Sequence, residues 1–208
     1  MTLQTTNAAA QPKGYKGIGM EGFIASWYAR QTAKDAEEFK NLARRLASHI
    51  KPGACALEIA PGPGYLAIEV AKLTGCRMVG IDIAFDEGDA ADLPFPANGF
   101  DFIFCRAAFK NFSRPLDALN EMYRVLKPGG SALIIDLRKD FSAQEINDYV
   151  RGKGMINAAL IKFTFNTLLK KRAYTGDAIA QLASQSLFLE GDLRLNAIGF
   201  ELWLHKPA

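Results

Sequence analysis

The chain has 208 residues, 49% of them hydrophobic, which is enough material for one three-layer domain with its own core. Its 25 Lys and Arg exceed its 22 Asp and Glu by only three, and the two signs are interleaved, so the basic footprint of a duplex-binding protein is missing and a nucleic-acid partner is not favoured. Cys55, Cys76 and Cys105 are odd in number, far apart and set in or beside apolar runs, which points to buried thiols in a reducing compartment and to neither a disulfide framework nor a metal site.

Taken in chain order, Met1 to Lys16 is a Thr/Ala/Gln-rich tail without a long apolar core. No later segment approaches the roughly 20 apolar residues of a membrane span, so a cytoplasmic protein without a span is expected. Gly17 to Gly22 and an aromatic-containing segment through Tyr28 follow. Residues 1–30 are therefore set apart from a single domain over 31–208. Thr32 with Asp35 resembles a capping box, and Phe39, Leu42, Ala43, Leu46 and Ile50 recur at helical spacing until Lys51-Pro52-Gly53.

The middle of the chain alternates short apolar runs with helical patterns, the signature of βαβ units. Cys55 to Ala60 reads as the first strand, Leu66 to Leu73 as its helix, and Arg77 to Asp82 as the second strand. Asp101 to Cys105 is a further buried strand. The helix after it starts near Ser113-Arg114-Pro115, turns Leu116, Leu119, Tyr123 and Leu126 inward, and is expected to stop at Lys127-Pro128-Gly129-Gly130 before a central strand, Ala132 to Leu137. Ser142 with Glu145 opens another helix, and Met155 to Lys171 is apolar around much of its circumference. Leu187 to Lys206 reads as two strands around Asn196 to Gly199. The fold class is thus α/β, a Rossmann-like three-layer sandwich with a mostly parallel sheet and an antiparallel C-terminal strand pair.

Ala56-Leu57-Glu58-Ile59-Ala60-Pro61-Gly62-Pro63-Gly64-Tyr65 is the most informative run, a buried strand breaking into a glycine turn before a helix. Glycine lets the backbone turn sharply and lets a ligand approach, and the free N–H groups of a helix N-terminus attract an anionic group. Gly62, Gly64 and Ala67 also satisfy the G-x-G-x-x-G/A dinucleotide fingerprint, so a nicotinamide oxidoreductase competes at this point. Asp82, at the end of the second strand, suits the ribose of either cofactor. Glu58, inside the first strand, favours a cofactor with a cationic amino group.

Together with Gly88-Asp89-Ala90-Ala91-Asp92-Leu93-Pro94-Phe95, Phe100-Asp101-Phe102, Ala118-Leu119-Asn120-Glu121 and Arg124-Val125-Leu126-Lys127-Pro128-Gly129-Gly130, this run resembles the class I S-adenosylmethionine-dependent methyltransferases. The likeness is to the small-molecule group that includes the quinone-biosynthesis methyltransferases, and it covers about residues 54 to 137. It implies S-adenosylmethionine as cofactor, S-adenosylhomocysteine as product and a small-molecule O, N or C nucleophile as acceptor. By the same resemblance Gly62 and Gly64, with Ala60, Pro61 and Tyr65, line the methionine end, Glu58 orients it, and Asp82 with Ile83 holds the ribose. Asp89 and Ala90 would meet the adenine, and Cys105, Arg106 and Ala107 would lie beneath the sulfonium. Plain readings stand beside these: a tight turn for the glycines, a loop cap for Asp89, core packing for Cys105.

One departure from the family pattern bears on the adenine side. Only Ile83 to Gly88 separates Asp82 from Asp89, too few residues for the crossover helix between a second and a third parallel strand. Either the third strand is lost or the segment that carries it is missing. On the acceptor side, Phe109, Lys110 and Asn111, in the loop after the buried strand at 101–105, are the candidate acceptor contacts, with core packing of the phenylalanine and solvation of the lysine as alternatives. Met20, Trp27 and Tyr28 fall where such folds place a lid, and the apolar helix from Met155 serves as acceptor wall or homodimer face. Neither His49 nor His205 is assigned to catalysis, and a non-catalytic binding module is the remaining alternative.

Overall fold

The computed structural model describes residues 36–82, 89–152, 154–165 and 170–208. Met20, Trp27, Tyr28, the Thr32/Asp35 cap and Ile83 to Gly88 lie outside the described residues. The elements are α1 (Ala36–Ala47), β1 (Cys55–Ile59), α2 (Tyr65–Thr74), β2 (Arg77–Ile81), β3 (Phe100–Arg106), α3 (Pro115–Val125), β4 (Leu126–Leu137), α4 (Ala143–Val150), α5 (Met155–Thr164), α6 (Gly176–Gln185), β5 (Asp192–Leu195) and β6 (Gly199–His205). One six-stranded sheet runs in the order β2-β1-β3-β4-β6-β5, with β1 to β4 parallel and β6 antiparallel to both β4 and β5. Among the described residues no strand flanks β2 on its outer side.

Alternation along the strands sorts the core onto two faces. Ala56, Phe102, Phe104, Leu133 and Trp203 face α1 and α2, where they meet Phe39, Ala43, Leu46, Leu66 and Val70. Leu57, Ile103, Cys105, Ile134, Phe200 and Leu202 face α3 and α6, where they meet Leu119, Met122, Ile179 and Ala183. Because β1 and β3 are covered on both sides, they read as continuous apolar runs in the sequence. The helix at α1 places Glu37 and Glu38 in its first turn and Arg44 and Arg45 in its last, in accord with the helix dipole. The box at α4 closes as its sequence predicts, with Ser142 Oγ accepting the Glu145 N–H at 3.1 Å and Glu145 Oε2 accepting the Ser142 N–H at 2.6 Å.

Two expectations are corrected. Lys127-Pro128-Gly129-Gly130 does not end the helix: α3 stops at Val125, and the block is the entry of β4. Leu126 is already extended (φ −75°, ψ 137°) and pairs with Phe100, so the neighbouring strand captures the residues that local sequence would leave in a helix stop. Gly129 and Gly130 then exchange backbone hydrogen bonds with Lys206, N–H to carbonyl at 2.9 and 3.0 Å. Of the apolar helix expected to Lys171, only Met155–Thr164 is described as helix, and it leaves Met155 and Phe163 exposed. In addition α6, capped by Thr175 accepting the Ala178 N–H at 3.1 Å, carries core residues that its mixed Gln/Ser/Ala sequence gave no cause to single out. No helix among the described residues is long and apolar enough to cross a membrane.

Gly130 tests the corrected strand entry. A Cβ there would meet Leu126 Cγ at 2.8 Å, the Lys127 carbonyl at 2.9 Å and the Asp101 carbonyl at 3.0 Å. Gly130→Ala is expected to cost about 1–3 kcal/mol of overpacking in urea denaturation, whereas a residue in a loose helix stop would tolerate the methyl group.

Candidate functional site

Chain direction reverses between β1 and β3: from β1 the chain moves outward to β2, and it returns to the other side of β1 as β3. The crevice beyond the carboxyl ends at such a switch point is where open α/β sheets bind ligands. Three features of the sequence converge there.

The first is the turn that leaves β1. Ala60 (φ +57°), Gly62 (φ +54°) and Gly64 (φ +73°) are all left-handed, so the backbone doubles back before α2 begins at Tyr65. A Cβ built on Gly62 or Gly64 meets no atom within 4 Å, so the surface above the turn is open and is lined by backbone. Asp82 braces it, one carboxylate oxygen accepting the Gly62 N–H at 2.8 Å.

The second is Glu58, 3% exposed on the α1/α2 side of β1. Among the described residues its Oε2 has no hydrogen-bond partner. Burial pushes this carboxyl up to about 8, against the opposing pull of the Ala67 N–H and the Arg106 guanidinium, with Asp82 adding a smaller push upward. The third is the end of β3. Arg106 lies over the Phe39 ring at 4.7 Å and pairs with Glu38 at 2.7 Å, and Ala107 turns left-handed (φ +60°) just after it.

Beside these groups opens a cleft of about 600 Å³. Its polar wall is α1 with Glu38 and Arg45, the latter paired to Glu201 at 2.6 Å. Its apolar wall is Ile135, Leu137, Tyr149, Phe165 and Ile198. That wall is fixed by Arg138, 7% exposed, which pairs with Asp140 at 3.2 Å and with Glu145 and donates to the Asn196 and Ala197 carbonyls at 3.1 and 3.2 Å.

A methyltransferase-domain family matches residues 57–134, the stretch that contains the glycine turn, Glu58, Asp82 and Arg106. Over that stretch the chain is similar to a methyltransferase domain. It is 33% identical over 119 residues to the ubiquinone/menaquinone biosynthesis C-methyltransferase UbiE of Azotobacter vinelandii, covering 46% of this chain and 47% of that one. Against the UbiE protein of Neisseria meningitidis the identity is 34% over 119 residues, covering 47% and 49%. The chain thus spans about half the length of the curated relatives it matches. In fold it is similar to a SAM-dependent methyltransferase of Aquifex aeolicus (TM-score 0.56, 19% identity, 82% of this chain and 98% of that one). It is similar as well to phosphoethanolamine N-methyltransferase 2 of Haemonchus contortus, solved with S-adenosylhomocysteine (TM-score 0.57, 16% identity, 81% and 52%). The likeness to class I S-adenosylmethionine-dependent methyltransferases read from the sequence therefore holds for the domain.

The residues of this stretch fit that cofactor. A buried carboxylate oxygen without a partner and an open, backbone-lined turn at a helix N-terminus are what a cationic aminoacyl group with its own carboxylate requires. Tyr65 and Pro61 flank the turn, each partly buried. Cys105 is 1% exposed, sits on the opposite face in the α3/α6 core, and has its thiol pushed far up by burial, so it packs. Asp89 caps its own loop, accepting the Ala91 N–H at 2.9 Å and pairing with Arg114 at 2.7 Å, while Ala90 is buried.

Phe109, Lys110 and Asn111 do not line the cleft. They form a 3-10 turn in which all three are buried: Phe109 stacks on Phe112 and Tyr174 at 5.5 and 5.9 Å, and Lys110, expected to be either solvated or facing the acceptor, is paired with Asp136. Glu38, Arg45, Tyr149 and Glu201 reach the cleft from elements distant in sequence and carry no motif. Asp136 does leave a trace, a lone carboxylate in the run Ala132-Leu133-Ile134-Ile135-Asp136-Leu137. His49 is exposed with its ring 4.5 Å from Trp203, and exposed His205 shares a 2.8 Å hydrogen bond with Ser131.

Glu58 gives a pH signature. With the folded value raised to about 8 from 4.5, the folded state binds the extra proton, and the stability this contributes is full below about pH 4.5 and lost as the pH rises to about 8. Glu58→Gln cannot ionise but can still accept the Ala67 N–H. In thermal melts of the ligand-free protein the variant should gain on the parent as pH rises through that window, by several degrees at pH 9, corresponding to a few kcal/mol, and by little at pH 5.

Proposed function

We propose that this chain is an S-adenosylmethionine-dependent methyltransferase acting on a small, largely apolar acceptor held in the cleft beyond β3, β4 and β6. The observation that carries the reading is Glu58: a buried carboxylate with a partnerless oxygen beneath an open glycine turn suits a cationic amino group. A pyrophosphate offers that oxygen no cation, which favours the aminoacyl cofactor over the nicotinamide one.

In this reading the N-terminus of α2, just past the Gly62–Gly64 turn, receives the carboxylate of the cofactor's amino-acid end. Glu58, ionised by its cationic partner, orients that end, and Asp82 at the tip of β2 stands beside the ribose. Bound cofactor supplies an electrophilic methyl group on a sulfonium. The chain's own task is then to align an acceptor and exclude water, which the apolar wall of Ile135, Leu137, Tyr149, Phe165 and Ile198 performs beside Arg106 and Ala107. The named activity of the UbiE relatives, C-methylation in ubiquinone and menaquinone biosynthesis, supports a carbon nucleophile on an apolar ring. Asp89 and Ala90 border the adenine side.

Calorimetric titration tests the reading. S-adenosylhomocysteine should bind and NADH should not, and the S-adenosylhomocysteine affinity should rise as the pH approaches about 8 and Glu58 ionises. Glu58→Gln should weaken binding by about ten-fold and flatten that pH dependence. No heat with S-adenosylhomocysteine, or a pH profile unchanged in the variant, would sink the assignment.

A further inference from the structure

Lys110 and Asp136 form the most enclosed ion pair among the described residues, their side chains 5% and 0% exposed and Nζ 2.9 Å from Oδ1. Asp136 does more than neutralise a charge. Its Oδ2 accepts the Lys110 backbone N–H at 2.8 Å and its Oδ1 accepts the Leu137 N–H at 2.7 Å. The Lys110 ammonium makes a second bond, to the carbonyl of Ala107.

Ala107 is the residue that needs holding. It has a Cβ, yet it sits at φ +60°, where a non-glycine residue persists only if its surroundings over-determine it. Its N–H is tied to the Ile135 carbonyl of β4 at 2.8 Å, and its own carbonyl is tied to Lys110. Ala107, Arg106 and Asp136 all line the cleft, and β3 delivers this turn next to β1, with Phe104 in register with Glu58.

A buried ion pair is weak evidence for stability, because an apolar pair of similar volume is often no less stable. What an apolar pair lacks is a donor that fixes the direction of the Ala107 carbonyl. We propose that Lys110 and Asp136 are a positioning pair: they lock Ala107 in the left-handed conformation and thereby set the backbone floor on which the methyl donor and the acceptor are aligned. This rests on the cofactor site proposed above. It gives Lys110 a role acting through Ala107 instead of direct contact with an acceptor.

The test uses the full chain, S-adenosylhomocysteine as probe, and three readouts: melting temperature, amide hydrogen exchange at residues 107–111, and calorimetric affinity. Lys110→Met/Asp136→Asn removes both charges and the donor to Ala107 while leaving a side-chain carbonyl for a backbone N–H. It should melt within a few degrees of the parent, exchange faster at 107–111, and bind S-adenosylhomocysteine about ten-fold more weakly. Adding Ala107→Gly should return much of that affinity, since glycine occupies the left-handed region without a steric cost. A purely structural pair would change the melting temperature and show no such rescue. If the double variant does not fold, Lys110→Gln/Asp136→Asn, a neutral pair that keeps hydrogen-bonding groups in the same space but lacks the ammonium on the Ala107 carbonyl, reads the same loss. Parent-like affinity in a folded variant, or a loss that Ala107→Gly leaves untouched, overturns the proposal. A parent chain that itself fails to bind the probe overturns the cofactor site and this inference with it.

Discussion

The near-flush ending of three parallel strands is the constraint from which the rest follows. β1 pairs with β2 and β3 in a register that brings Ile59, Ile81 and Cys105 to one level, so β1 and β2 leave the sheet side by side and β3 one residue later, after Arg106. Both faces of β1 and β3 are buried, and the backbone groups that emerge must be satisfied within a few residues. Asp82 does this for the Gly62 N–H, and the Ile135 carbonyl does it for Ala107. A crevice bordered by left-handed turns is the geometric result, and the apolar cleft is its continuation over β4 and β6.

Two buried carboxylates on opposite faces of this sheet meet different fates. Asp136, toward α3 and α6, is surrounded by donors and paired with an ammonium, so its charge is contained within the fold. Glu58, toward α1 and α2, has only a backbone N–H and a distant guanidinium to set against burial, and its carboxyl is pushed up to about 8. A contained charge shapes the backbone; an uncontained one is open to a ligand. Both lie on strands of high hydrophobicity, where a carboxylate without a partner is costly.

Much of this was legible in the sequence because it rests on local chemistry. Apolar runs, glycine turns and the Ser142–Glu145 box are readable from a few neighbouring residues, and they locate β1, α2, β2, β3 and α4 to within a residue or two. The glycine turn with Glu58 and Asp82 is readable for the same reason, since one strand end and its helix hold all the spacing that matters. The acceptor side was not. Phe109, Lys110 and Asn111 carry the residue types of a polar contact loop, and nothing local tells that a 3-10 turn buries them against Tyr174 and Asp136.

The sequence by itself determined the alternation of strand and helix and the position of the glycine turn, because each depends on residues that are neighbours along the chain. Tertiary structure alone decided that Leu126 to Gly130 belongs to β4, that α6 completes the core, and that α1, α4 and β6 wall a cleft with Glu38, Tyr149 and Glu201. These depend on pairing between segments tens of residues apart. A strand partner such as Phe100, or a buried cation such as Lys110, changes the meaning of a residue only once the chain has brought the two together.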